Sequence, residues 1–143
     1  MISFFRKDSK DSEEDRPTDL KNRGMVLVVD DSPTETYILK NFLEKAGYSV
    51  ATAADGQQGV AKAREIKPLF ILMDVVMPVL NGFQATRQLG NDPETKAIPV
   101  IMVTTKDQET DKSWGMKQGA SAYLVKPITE RDLMAAIKGL KLP

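Results

Sequence analysis

The sequence predicts an α/β fold, a doubly wound (βα)5 three-layer sandwich on a parallel sheet. Three observations carry this. Five short apolar runs, Met25–Val29, Tyr48–Ala53, Leu69–Met73, Ile98–Val103 and Ala122–Val125, alternate with segments of helical period. The runs are apolar nearly throughout, the pattern of strands buried on both faces beneath helices. Right-handed crossovers then lay helices on both sides of one sheet. Finally, four of the five runs end in polar residues: Asp30-Asp31, Asp74, Thr104 and Lys126.

The helices follow from spacing and caps. Pro33, behind the N-cap Ser32, opens a helix running to Ala46 and stopping at Gly47, with Ile38, Leu39, Phe42, Leu43 and Ala46 on one face. Gly56 to Ile66 forms a second, ended before Pro68, and Phe83–Leu89 a short third. Asp107 to Gln118 is a polar helix closed by Gly119. Thr129 caps the last, whose inner face is Leu133, Met134, Ala136, Ile137 and Leu140. The fourth helix is weakly amphipathic, since its apolar residues Trp114 and Met116 flank an interior Gly115. Two readings of Trp114 stand side by side: a filler for a gap in the core, or an exposed anchor for a partner. A mobile fourth helix is a third expectation.

Residues 1–24 differ from the rest. They hold 12 of the 40 charged residues and five apolar ones, which predicts a disordered charged leader ahead of a single domain over 25–143. The patch Ile2, Phe4, Phe5 is too short for a signal-peptide core, although a weak membrane or partner anchor stays open there. No stretch approaches the roughly 18 apolar residues of a membrane span, so a cytoplasmic location is expected. Lys plus Arg and Asp plus Glu are equal at 20 each, which gives no electrostatic reason to expect nucleic acid.

The absence of Cys and His excludes more. Without Cys there is no disulfide framework, thiol nucleophile or Cys-based metal site. Without His there is no Ser-His-Asp triad, His metal ligand or phosphohistidine. Chemistry must run on carboxylates, hydroxyls, lysines and a metal held by oxygen.

In an open parallel sheet the functional crevice lies beyond the carboxyl ends of the strands, where Asp30, Asp31, Asp74, Thr104 and Lys126 converge. Crowded carboxylates must take up protons or bind a cation. An oxygen-only ligand set suits a hard ion such as Mg²⁺, with Mn²⁺ the alternative. Asp74 could then attack phosphorus and become an aspartyl phosphate, while Lys126 and Thr104 meet phosphoryl oxygens.

The segments Val29-Asp30-Asp31-Ser32, Met73-Asp74-Val75-Val76-Met77-Pro78 with Asn81-Gly82, Val103-Thr104-Thr105 and Tyr123-Leu124-Val125-Lys126-Pro127 together resemble a response-regulator receiver domain of the CheY-like family. The resemblance covers residues 25–143 and implies strand order 2-1-3-4-5. It implies Asp74 as phosphoacceptor and Asp30, Asp31, Asp74 and the Val76 main-chain carbonyl as Mg²⁺ ligands. Thr104 and Tyr123 become a switch pair, and the Lys126–Pro127 peptide bond is typically cis in the family. Further segments, among them Val79-Leu80-Asn81-Gly82-Phe83-Gln84-Ala85 and Thr104-Thr105-Lys106-Asp107-Gln108 with Trp114-Gly115, resemble the stand-alone receivers of chemotaxis-like systems that control type IV pili and twitching motility. The implied partners are a histidine kinase and a pilus-machinery or downstream signalling protein, with no nucleic acid and no membrane insertion. The protein would be a phosphoacceptor rather than an enzyme, with at most weak self-dephosphorylation.

Val76 and Asn81 depart from the common pattern, Asn81 standing before Gly82 where an acidic residue is common. Val76 stands where many receivers carry a polar residue, and Lys106 lies two residues after Thr104; both are expected to set the lifetime of the phosphoryl group. Competing readings are less well served. An aspartate-nucleophile phosphatase usually has a second Asp at the place of Val76, and neither a Walker-type nor a GxGxxG loop follows the first run. A binding module independent of phosphorylation would leave the full set of polar strand ends without a purpose.

Overall fold

The computed structural model describes residues 23–142, so the leader expected over residues 1–24 lies outside the described residues except for Arg23 and Gly24. Ten elements alternate: β1 Met25–Val29, α1 Pro33–Lys45, β2 Ser49–Ala53, α2 Gly56–Ile66, β3 Ile71–Met73, α3 Gly82–Asn91, β4 Val100–Thr104, α4 Glu109–Lys117, β5 Ala122–Val125 and α5 Glu130–Lys138. The sheet has the order β2-β1-β3-β4-β5, parallel throughout.

Continuous apolar strands are explained by burial on both faces. Within β1, Val26 and Val28 point into the layer beneath α1 and α5, with Leu39, Leu43, Phe70, Leu133 and Ile137. Leu27 and Val29 point the other way, toward Val60 and Ala63 of α2 and Ala85 and Leu89 of α3. All four of these β1 side chains are fully buried. A third, smaller cluster of Val75, Met102 and Ala120, with Phe83 and Tyr123 against it, lies on the α4 side.

The elements differ from expectation at their ends, for local reasons. β4 begins at Val100 because Pro99 has no N–H to give the ladder; its carbonyl accepts from Ile71 at 2.9 Å. The β3 ladder to β4 therefore starts at Ile71, while Leu69 still donates to Met25 O at 2.9 Å. α3 starts at Gly82, ahead of the expected Phe83, because Asn81 and Gln84 form a reciprocal cap, Gln84 N–H to Asn81 Oδ1 at 2.9 Å and Asn81 N–H to Gln84 Oε1 at 3.0 Å, and it runs on to Asn91. Ser32 and Thr129 cap α1 and α5 as expected, and the Lys126–Pro127 bond is cis. α4 is shorter than expected, with Gly115 as its buried residue; Trp114 is 46% exposed, which removes the core-filler reading.

Two glycines fix the loop between Asp74 and α3. A Cβ on Gly82 would lie 2.0 Å from the Asp74 carbonyl oxygen, and one on Gly56 would lie 2.1 Å from the Leu80 carbonyl oxygen. Between them Val79, a β-branched residue, is held at φ 71°, a conformation that costs on the order of 1–3 kcal/mol. Gly82→Ala must therefore displace the backbone that carries Asp74. We expect it to destabilise the fold by about 3 kcal/mol, measured by urea denaturation. A neutral effect would show that this loop yields freely.

Candidate functional site

The strand ends deliver the polar groups to one place. Asp30 follows β1 and is almost wholly buried. Its Oδ1 accepts the Ser32 N–H at 2.9 Å, so the residue that caps α1 also orients the carboxylate. Its Oδ2 meets Lys126 Nζ at 2.8 Å. Asp74 follows β3, and its N–H donates to Val29 O at 2.9 Å, which sets β3's end beside that of β1. Asp74 Oδ1 accepts from Val75 N–H at 2.7 Å and faces Val76 N–H at 3.4 Å, while Oδ2 is turned to Lys126 Nζ at 3.4 Å. Asp31 is exposed at the mouth. Asp30, Asp31 and Asp74 each offer an oxygen, all within 4.8 Å of one another.

One ammonium serves this negative cluster. Lys126 follows β5, its N–H bonded to Thr104 O at 2.8 Å, and its side chain is 9% exposed. Glu35 Oε1 lies 3.9 Å from the same Nζ. Sequence reasoning gave Glu35 no role, although Ser32-Pro33-Thr34-Glu35 has the S-x-x-E capping-box spacing that places position 35 over the first turn of α1.

The titration of these groups reflects the crowding. Burial raises the Asp74 carboxyl above its ordinary value near 3.8; Lys126 opposes this, Asp30 adds to it, and the Thr104 hydroxyl and Val75 N–H pull back down. Burial alone would lower the Lys126 ammonium, but the hydrogen bond from Lys126 to Asp30 and the charges of Asp74, Asp30 and Glu35 raise it. The folded state thus prefers a protonated Asp74. Its stabilising contribution is complete below the ordinary value and is lost as pH rises through the raised one. In the absence of divalent cations, Asp74→Asn should melt above the wild type at neutral pH, with the gap closing as pH falls toward 3.8. Thermal melts in a chelating buffer check this, and a lower melting temperature for the variant at neutral pH would refute it.

Thr104, at the end of β4, is fully buried, and its hydroxyl accepts the Lys106 N–H at 3.3 Å. Tyr123 reaches the same turn from β5, its hydroxyl donating to Lys106 O at 2.9 Å. Burial, then the charges of Asp111, Asp74 and Asp107, push the Tyr123 phenol up to about 12. The Lys106 backbone thus ties Thr104 to Tyr123, while its ammonium lies 3.7 Å from Asp111 of α4. Val76 presents a side chain 57% exposed to solvent. The structure therefore gathers Asp30, Asp31, Asp74 and Lys126, sets the Thr104 hydroxyl against Asp74, and links Thr104 to Tyr123 through the Lys106 turn.

A family model described as "Response regulator receiver domain" matches residues 26–138. Protein PilH of Pseudomonas aeruginosa is 61% identical over 115 residues, which covers 80% of this chain and 95% of that protein. The alkaline phosphatase synthesis transcriptional regulatory protein PhoP of Bacillus subtilis is 38% identical over 80% of the chain, which spans 47% of PhoP. Among solved structures, the chemotaxis protein CheY4 of Vibrio cholerae superposes with a TM-score of 0.75 at 36% identity, over 80% of this chain and 95% of its own. The receiver domain of the sensor histidine kinase PA1611 from Pseudomonas aeruginosa gives 0.75 at 30% identity, over 80% and 94%. That receiver is described with a magnesium ion coordinated in its active site cleft.

Proposed function

Since this chain belongs to the response-regulator receiver family, we propose that it accepts a phosphoryl group on Asp74 from a histidine kinase and signals through the change that follows. The observation that carries this reading is the set of three carboxylates within 4.8 Å of one another with one buried lysine against two of them. A purely structural ion pair needs one carboxylate per ammonium. The surplus negative charge makes sense when a divalent cation and a phosphoryl group visit.

The donor set is all oxygen and fits a hard cation. The carboxylates of Asp30, Asp31 and Asp74 and the Val76 carbonyl would hold Mg²⁺, or Mn²⁺ in its place. When bound, the ion supplies charge compensation for phosphoryl oxygens. Asp74 is held by the Val75 N–H, leaving Oδ2 to attack phosphorus. The new P–O bond forms as the bond from phosphorus to the kinase imidazole nitrogen breaks, and the electron pair leaves with the imidazole. Lys126 neutralises one phosphoryl oxygen and the Thr104 hydroxyl donates to another. Tyr123, joined to Thr104 through the Lys106 turn, carries the change toward α4.

The role of the whole chain follows the same reading. Its likeness to PilH over nearly all of that protein supports a single receiver over 25–143 that acts in a chemotaxis-like system controlling type IV pilus twitching motility. It would work in the cytoplasm, by phosphorylation-dependent binding of a pilus-machinery or downstream signalling protein or by draining phosphate from a shared kinase. Among the described residues no helix is long and apolar enough to cross a membrane. The test is phosphotransfer from a radiolabelled, autophosphorylated histidine kinase. Label should leave the kinase and appear on the wild type but not on Asp74→Asn; label that stays on the kinase would defeat the reading.

A further inference from the structure

Gly115 sits in the last turn of α4, on the face turned to the sheet, and its backbone is ordinary helix. Conformational freedom therefore does not explain it. Space does. A Cβ at position 115 would lie 2.8 Å from Met102 Sδ and 2.9 and 3.0 Å from Cδ2 and Cε2 of Tyr123. Met102 and Tyr123 are register partners on β4 and β5. The tyrosine ring thus occupies a slot with Met102 on one side and the bare Cα of Gly115 on another, its hydroxyl bonded to Lys106 O. Glycine is a poor residue for a helix interior, and α4 buries no other residue to offset it. The helix gives up local stability where the ring needs room.

We propose that Gly115 is a positioning residue for Tyr123: the inward seat of the ring exists because position 115 carries no side chain, and ring position and the distance of α4 from β5 are therefore one coupled variable. A shift of α4 toward β5 closes the slot and drives the ring out; a shift away relaxes it. The exposed face of α4, with Trp114 46% and Met116 47% exposed, is thereby connected to the turn that holds Thr104. The signalling meaning rests on the switch role proposed for Tyr123, whereas the seat is a property of the unphosphorylated fold.

The test uses the full-length chain without any phosphodonor, so a failure of the phosphoacceptor reading leaves it unmoved. Proton NMR contacts between the Tyr123 ring and the Met102 methyl group should be present in the wild type and lost in Gly115→Ala. Thermal melts supply the second arm. Helix propensity alone predicts that Gly115→Ala raises the melting temperature. The seat predicts that it lowers it in the wild type and raises it in a Tyr123→Ala background, where the slot is empty. Persistence of the ring–Met102 contacts in Gly115→Ala, or a melting temperature lowered equally in both backgrounds, would overturn the proposal. If Gly115→Ala alone does not fold, the Tyr123→Ala background decides: a folded double variant supports the seat and an unfolded one rejects it.

Discussion

We expect Asp74→Asn to accept no phosphoryl group from acetyl phosphate while folding and keeping the rest of the site. The three carboxylates are not equivalent, and under the proposed reading their surroundings favour Asp74 as the nucleophile. Asp30 is committed through both oxygens, to the Ser32 N–H at 2.9 Å and to Lys126 at 2.8 Å, and its side chain is 1% exposed. Asp31 is exposed and lacks the buried electrostatic setting of its neighbours. Asp74 has one oxygen pinned by the Val75 N–H and the other 3.4 Å from the ammonium, close enough for charge compensation and loose enough to admit phosphorus. Burial also keeps its carboxyl more basic than usual, which favours attack. An amide of the same shape has no such oxygen. Intact-mass measurement should show a single phosphoryl adduct on the wild type and none on the variant; an adduct of equal size on both would move the nucleophile elsewhere.

Lys126→Ala is expected to have effects of opposite sign on chemistry and on metal binding. The ammonium is the one cation within 4 Å of Asp30 and Asp74 among the described residues. Without it a phosphoryl oxygen loses its counter-charge, and removal of one such group from a water-poor site typically slows transfer by about 10²–10³-fold. The same change strips the cluster of its internal neutraliser. The metal-free protein should lose roughly 3 kcal/mol, as expected when a buried pair loses one partner, and Mg²⁺ should bind more tightly and restore much of that loss. Calorimetric titration with Mg²⁺ and the rate of adduct formation measure the two sides. A variant that binds Mg²⁺ more weakly would mean that Lys126 supports the metal site instead of competing with it.

Much of this site is legible in the sequence. Apolar strands reveal themselves by composition, and in a parallel sheet their carboxyl ends share one edge, so Asp30, Asp74, Thr104 and Lys126 could be brought together on paper. What escaped depends on contacts between residues far apart in the chain. The closeness of Gly56 to Leu80, and of Gly115 to Tyr123, leaves no mark on local periodicity. Interior Gly115 reads in the sequence as a weak point of α4, and the structure adds that it is also the wall of a packed slot. Val79 at φ 71° is likewise invisible, because nothing about a valine announces a left-handed backbone. Glu35 was within reach through its capping-box spacing, but its position 3.9 Å from Lys126 requires the β5 end to be in place. The Lys106 ammonium beside Asp111 on α4 is a contact of the same kind, set by how α4 packs and not by local pattern.

The most direct test of the central claim is the intact mass of the protein after incubation with acetyl phosphate, with Mg²⁺ and with a chelator, followed by peptide mapping of the adduct. A single phosphoryl group that requires the cation and maps to the peptide containing Asp74 is the predicted result. No adduct under either condition, or one that forms equally well in chelator, would contradict it.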